Sequence, residues 1–393
     1  MDKLILILIL TGIVGGQLVQ LPIFGLSIPL IDIAIILSFF LLLTRIKSMS
    51  GLFRLTSFRW FLGFIALLLV SLGVNMGGFS FHEIATAGAY LARLALYGLV
   101  GFMLWPTLTQ KNMTFYLSAL GLAFSAFVAI SFFVFGLFPN FEIFDYLEWD
   151  PHRFRLVGTF FDPNYSSVLL GFGITLSILV LLQLGMKNWQ WILALALNFG
   201  ALMATTSRTG LVALVVGVST LIIFIRSRWA WAFLIILVTS ALLIPSVQSR
   251  LKHAFTDDSL RHRQESWTEG WQLTTENPVF GVGYNLLPNI RQETVLNPKL
   301  LGSHTISGFD SSLLTISATS GFTGLILFLL FVISLCLNAL NNIFKRQNIF
   351  SRWFLISTVS LGVASIFINA WLYPPLLACW FLMMSLSLLE TKR

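Results

Sequence analysis

Apolar stretches of roughly 17–25 residues recur from one end of the chain to the other, and each is long enough to cross about 30 Å of hydrocarbon as a helix. Lipid tolerates only structures that satisfy their own backbone, which means helices or closed barrels. A barrel needs period-two alternation along its strands, and the chain lacks it. Composition agrees with helices: 57% of residues are hydrophobic, 10% are charged, and the mean hydropathy is +0.87. Soluble domains carry about 25% charged residues. Sixteen acids and 24 bases cannot clothe a soluble fold of 393 residues. Soluble, disordered, fibrous and disulfide-scaffold classes are therefore excluded. The sequence predicts an all-α polytopic membrane protein, a single membrane domain over residues 1–393.

Twelve spans are expected, at about 4–21, 26–43, 60–74, 84–105, 113–138, 164–184, 191–206, 210–225, 229–244, 311–339, 353–369 and 371–389. The apolar run after Met1-Asp2-Lys3 lacks a small-x-small cleavage site and reads as an uncleaved first helix. With the N-terminus in the cytoplasm, the inward loops and the termini hold 14 of the 24 basic residues, beside only Asp2 and Glu390 among the acids. The positive-inside rule then puts both termini in the cytoplasm. Most of the net charge of +8 is explained this way, and no nucleic-acid-binding module is found. Both cysteines, Cys336 and Cys379, fall in apolar stretches, so neither a disulfide framework nor a thiolate metal site is expected.

The opposite face carries the long loops. Residues 139–163 form one, and residues 247–310, before span ten, form the longest polar stretch. Structureless loops of such length are uncommon and usually functional. Within the second, 259–275 reads as an amphipathic helix with Arg263, Trp267 and Trp271 on one face. Asn277-Pro278 ends it, and Gly281-Val282-Gly283 makes a tight turn. No internal repeat is evident, nor the paired broken helices that mark many transporters.

Ten basic residues lie on that face or within the bilayer, and eight of them are arginines, whose planar fork suits phosphate. Solvated loop charge is one reading for Arg250, Lys252, Arg291 and Lys299. Arg93 falls near the middle of span four, where an ionised group costs at least about 2.5–3.5 kcal/mol. It is either paired with Asp32 of span two or a ligand for an anion. Arg155 precedes Gly158-Thr159-Phe160-Phe161-Asp162-Pro163-Asn164, in which Asp162 is an N-cap and Pro163 a first-turn residue. A cation ahead of a helix N-terminus is poorly placed for structure and well placed for an anion. Arg208 sits in the short turn Thr205-Thr206-Ser207-Arg208-Thr209-Gly210, where snorkelling competes with function. For Arg263 the competing reading is stacking on its tryptophans. His304 and Asp310 are the candidate bases, and Asp310 is also placed to cap span ten. Asp257-Asp258 has no third oxygen cluster to complete a cation site. No zinc-protease, P-loop or dinucleotide fingerprint is present, so no metal and no cofactor is expected.

Five stretches together resemble the O-antigen ligase and polysaccharide polymerase family of bacterial membrane glycosyltransferases. They are Arg155…Gly158-Thr159-Phe160…Pro163-Asn164, Ser207-Arg208-Thr209-Gly210, Arg263-x-x-x-Trp267, Asn277-Pro278-Val279-Phe280-Gly281-Val282-Gly283-Tyr284, and the loop exit into Gly321-x-x-Gly324. The family places a His-Asn pair near the loop exit, with two glycines about 11 and 14 residues later. Here Gly321 and Gly324 keep that register with Asp310, while His304 stands six residues further away. The base is therefore His304 or Asp310.

The resemblance implies a GT-C-like fold in the bacterial inner membrane. It implies an undecaprenyl-diphosphate-linked glycan as donor, a lipid or glycan acceptor, and metal-independent inversion on the extracytoplasmic face. Arg155, Arg208, Arg263 and Arg93 are then the diphosphate-binding candidates. The residues make chemical sense of this, because charge builds on a departing lipid diphosphate and fixed guanidiniums can stabilise it. The rival class is a transporter or flippase of an anionic lipid-linked glycan. That class calls for polar groups at the midplane of several spans, and only Asp32 and Arg93 are clear here.

Overall fold

A computed structural model describes residues 1–23, 26–45, 51–140, 152–185, 188–225, 227–243, 248, 258–294, 308–346 and 348–389. Among the described residues, each of the twelve expected apolar segments forms a helix. They are α1 (Asp2–Gly15), α2 (Leu30–Leu43), α3 (Thr56–Asn75), α4 (Phe81–Leu104), α5 (Met113–Leu137), α6 (Pro163–Leu184), α7 (Trp189–Thr205), α8 (Arg208–Ile225) and α9 (Arg228–Leu243). After two polar helices, α10 (Asp258–Glu276) and α11 (Leu287–Thr294), come α12 (Ser312–Arg346), α13 (Ile349–Phe367) and α14 (Pro374–Ser387). Among the described residues, seven helices are long and apolar enough to cross a membrane by length and composition. The chain is an all-α polytopic membrane protein.

The first two spans are shorter than expected. Helix α1 stops at Gly15, because Gly16 takes φ 53°, ψ −125°. The chain then makes a short antiparallel hairpin, β1 (Gln20–Ile23) with β2 (Leu26–Pro29), pairing Gln20 with Pro29 and Ile23 with Leu26. Pro22 and Pro29 lack the amide that a continuing helix would need. Apolarity alone does not distinguish such a hairpin from helix. In the other direction, α12 runs on past residue 339 to Arg346.

Helix α6 is the centre of the bundle. It packs on α7, α8 and α13, and 89% of its apolar window is buried, against 33% for α5 and for α12. Helix α12 packs on α3, α13 and α10, while α14 packs on α4, α13 and α1. A core of Phe61, Phe102, Phe331, Trp353, Trp380 and Phe381 fills the centre, with edge-to-face contacts such as Phe331–Trp380 at 5.8 Å.

Helix α12 is broken at Gly321, which adopts φ 70°, ψ −179°. The Asn277–Tyr284 turn fills the break. Val282 and Gly283 donate to the carbonyls of Ala318 (2.9 Å) and Thr319 (3.2 Å), and Phe322 donates to Pro278 (2.8 Å). From α3, Ser71 Oγ donates to the Phe280 and Thr319 carbonyls at 2.7 and 2.8 Å. Backbone groups freed by the break thus find partners, as burial requires. Both glycines are needed. A Cβ on Gly281 (φ 64°) would lie 2.5 Å from the Ala318 oxygen, and one on Gly321 would lie 2.7 Å from the Pro278 oxygen.

Gly281→Ala and Gly321→Ala should each destabilise the folded protein by at least about 1–3 kcal/mol, the backbone cost alone. Gly200→Ala, in open space on α7, should be neutral or slightly stabilising. Melting of the three variants in detergent checks this, and equal Tm values would show that the turn and the break do not depend on each other.

Candidate anion and base site

Four helix N-termini meet at one end of the bundle. Those of α6 and α8 are joined by Ser207 Oγ, which donates to Asn164 Oδ1 at 2.9 Å and accepts from the Gly210 amide at 3.2 Å. Those of α12 and α14 are joined by the Trp371 amide donating to Ser312 Oγ at 3.0 Å. Tyr165 of α6 stacks on Tyr373, which precedes α14, with ring centroids 4.2 Å apart and planes 10° from parallel. Helix N-termini carry partial positive charge and unpaired amides, so this end attracts anions.

Arg155 is buried at 8% exposure and locks the segment before α6 to the α7–α8 turn. Its Nε donates to the Thr205 carbonyl at 3.0 Å, and Nη2 lies 3.5 Å from Asn164 Oδ1. Its Nη1 lies 3.5 Å from His152 Nδ1, and His152 Nε2 lies 3.7 Å from Asp162 Oδ2. Asp162 caps α6 as expected, accepting from the Asn164 and Tyr165 amides at 2.5 and 3.2 Å. Burial pushes its carboxyl up, but His152 and the two amides outweigh that and hold it below the usual carboxylate value.

Arg208 opens α8 beside Ser207, held there by the left-handed Thr206 at φ 49°. Arg263 lies across the site on α10. Burial pushes its guanidinium down, the charges of Asp310 and Asp162 pull it up, and neighbouring Arg208 lowers it further. These mutual influences put Arg208, Arg263, Asp162 and Asp310 in one electrostatic neighbourhood. Stacking does not account for Arg263. Trp267 packs on Phe367 and Trp271 on Phe322, while the arginine that lies over a ring beside this site is Arg291, on Phe309 at 5.0 Å.

Asp310 is held by its backbone. Its amide donates to Ser266 Oγ and its carbonyl accepts from Trp267 Nε1, both at 3.0 Å. Arg291 secures the approach through a bidentate pair with Glu269 (2.8 Å for both contacts) and a hydrogen bond to the Gly308 carbonyl (3.0 Å). Solvated loop charge is thus not the role of Arg291. The expected capping role of Asp310 is also corrected, because the Leu314 amide takes Ser311 Oγ at 3.4 Å as its cap. The Asp310 carboxyl takes no part in that cap, and burial raises it above its ordinary value against the pull of Arg263 and Arg291.

The other candidates divide. Arg93 sits against Asp32, with Nε donating to Oδ1 at 2.8 Å and Nη2 paired with Oδ2, while Tyr97 adds a 2.7 Å hydrogen bond to Oδ1. Of its two readings, pairing is the geometry present. His304, Arg250, Lys252, Asp257 and Lys299 lie outside the described residues. The sequence names Asn164 as the last residue of the Arg155…Pro163-Asn164 motif and gives no site role to His152, Tyr165 or Tyr373. His152 and Tyr165 flank that motif, so proximity was their only signal, and Tyr373 had none. Among the described residues no group of three or more His, Cys, Asp or Glu is placed to hold a metal ion.

Residues 193–329 match the family model described as O-antigen ligase. The match covers about a third of the chain, and over it the protein is O-antigen ligase-like. It takes in the α7–α8 turn, Arg263, the Asn277–Tyr284 turn, Asp310 and the break at Gly321, while Arg155 lies before it. No curated protein matches the chain.

Ser311→Ala removes the cap of α12 and also the 3.1 Å hydrogen bond from Ser311 Oγ to the Ser365 carbonyl. It should cost about 0.5–2 kcal/mol of stability. Asp310→Asn has no cap to lose and should cost less. Thermal unfolding of the two variants checks the ranking, and the reverse order would return the capping role to Asp310.

Proposed function

We propose that the protein is a glycosyltransferase that moves or polymerises a glycan carried on undecaprenyl diphosphate, on the extracytoplasmic face of a bacterial inner membrane, with both termini in the cytoplasm. A general O-antigen ligase or polymerase type of activity follows from the family match. The observation that carries the finer reading is the meeting of Arg155, Arg208 and Arg263 with helix N-termini and a half-buried carboxylate, Asp310, at one end of the bundle. Lipid-linked glycan donors are anionic at the diphosphate, and this end of the molecule is built to receive an anion.

In this reading an acceptor hydroxyl attacks the anomeric carbon of the donor sugar. The bond from that carbon to the diphosphate oxygen breaks, the lipid diphosphate leaves with the electron pair, and Asp310 takes the proton of the hydroxyl. Arg155, Arg208 and Arg263 stabilise the charge that grows on the leaving oxygens, as fixed donors do in many transition states. Asp310 keeps the family histidine's register to Gly321 and Gly324 and is not occupied by capping. Its raised proton affinity makes it a better base than an exposed aspartate. His304 is the alternative base, and Arg93 is assigned to the Asp32 pair that joins α2 and α4.

Arg155→Lys, Arg208→Lys and Arg263→Lys should each lower turnover of a lipid-diphosphate glycan while the protein still folds, because lysine keeps the charge and loses the fork. Asp310→Asn should cost about 10²–10⁴ in rate. In the wild type, activity should fall as pH drops through the Asp310 carboxyl, which must be ionised to accept a proton. Because that carboxyl is raised, the acid limb should lie above the ordinary aspartate value of 3.8. Liposome assays that resolve a new glycosidic bond from movement of unchanged lipid check the class. Near-normal rates in Asp310→Asn would transfer the role to His304, and normal rates in all three lysine variants would end the diphosphate assignment.

A further inference from the structure

The reading above uses the charged groups of the site and leaves its aromatic pair without a task. Tyr165 follows Asp162 and Asn164 in the first turn of α6, so its ring starts beside the arginine-rich side of the site. Its phenol lies within the fields of both Asp162 and Asp310. On one side its neighbour Asn164 meets Arg155, and on the other it stacks on Tyr373, two residues after the Trp371 amide that holds Ser312 beside Asp310. In a transfer with inversion, the attacking and departing oxygens lie on opposite sides of the anomeric carbon. The donor sugar must then lie between the arginines and the base, and Tyr165 is the aromatic side chain whose backbone adjoins both elements.

The shelf behind Tyr165 is rigid. Tyr373 backs it face to face at 4.2 Å, and Phe160 meets Tyr373 edge-on at 5.3 Å. The Tyr373 hydroxyl accepts from Gln17 Nε2 at 3.5 Å and donates to the Phe160 carbonyl at 3.4 Å. Two prolines, Pro374 and Pro375, follow it at the start of α14. Both tyrosines are only half-buried. An aromatic face is negative and its edge positive, so the face does not attract phosphate. It does suit the row of polarised C–H bonds on one side of a pyranose ring. A prenyl chain, by contrast, needs the apolar spans and not a ring in the first turn of α6 beside the Asp162 cap.

We propose that the Tyr165–Tyr373 stack is a carbohydrate subsite, with the ring of Tyr165 packing against the first sugar of the lipid-diphosphate donor. The proposal rests on the glycosyl-transfer reading and adds the residue that senses the sugar, as distinct from the residues that sense its anion.

The test uses the full chain in detergent and two soluble probes, farnesyl diphosphate and farnesyl diphosphate bearing one N-acetylhexosamine. Tyr165→Leu should weaken binding of the sugar-bearing probe on the order of tenfold, the equivalent of about 1.4 kcal/mol, and leave farnesyl diphosphate binding unchanged. Tyr165→Phe, which keeps the aromatic face, should bind both probes like the wild type. Retained farnesyl diphosphate binding also reports folding, and Tyr165→Met asks the same question if the leucine variant does not fold. The subsite is overturned if loss of the ring weakens both probes equally, or weakens neither. A wild-type protein that binds neither probe overturns the diphosphate reading and the subsite together. One that binds farnesyl diphosphate and is insensitive to Tyr165 overturns the subsite alone.

Discussion

Up-and-down threading sends every second apolar helix into the bundle from the same end, and much of the chemistry of this protein follows from that constraint. Helices α6, α8, α12 and α14 begin together there, tied by Ser207 to Asn164, Trp371 to Ser312 and Tyr165 to Tyr373. Their macrodipoles add where their first turns adjoin. Placing Arg155, Arg208 and Arg263 at the same end makes a concentration of positive charge that Asp162 and Asp310 balance only in part. Arg155 is also a structural tie, so the groups that would meet an anion are held by the same hydrogen bonds that close the bundle. Such preorganisation is what makes electrostatic stabilisation effective, since little reorganisation remains for the moment of reaction.

The break in α12 shows how a polar loop can be seated on apolar helices without stranded backbone groups. Gly321 opens the helix, and the amides of Val282 and Gly283 enter to occupy the carbonyls of Ala318 and Thr319. Two stretches that are about 40 residues apart in sequence are thereby one structural unit. This unit carries α10 and α11 above the bundle, through a small core of Val282, Leu287, Phe309 and Ala318. Arg263 on α10 and Asp310 ahead of α12 lie within each other's electrostatic reach there. The glycines therefore act on the site at a distance, by deciding where α10 sits.

Asp310 illustrates how burial and charge divide the labour between two carboxyls. Asp162, bonded to two helix amides and near His152, is held low and stays ionised. Asp310, whose backbone is pinned and whose side chain is not spent on capping, is raised by burial despite Arg263 and Arg291. Carboxyls whose environments push them apart in this way are suited to different tasks. Here the first caps α6 beside Arg155, and the second stays off the helix cap.

Hydrophobic length and charge asymmetry by themselves determined that this chain is a bundle of apolar helices, because lipid leaves no other solution for residues so rarely charged. Local chemistry determined the ends of several elements: Asp162-Pro163 starts α6, and Asn277-Pro278 closes an amphipathic α10 within a residue of the expected 259–275. The order of five weak motifs marked Arg155, Arg208 and Arg263 as candidates, with His304 or Asp310 as the base. Tertiary structure alone decided what the described ones touch. Arg93 meets Asp32 because α2 and α4 pack together, a fact no spacing within either helix contains. Ser311 and not Asp310 caps α12 because Ser266 and Trp267 of α10 hold the Asp310 backbone. The Tyr165–Tyr373 shelf joins residues 208 positions apart. Periodicity and capping act over a few residues and can be read along a chain. Ion pairs, stacks and the field of several helix ends depend on which helices become neighbours, and packing settles that.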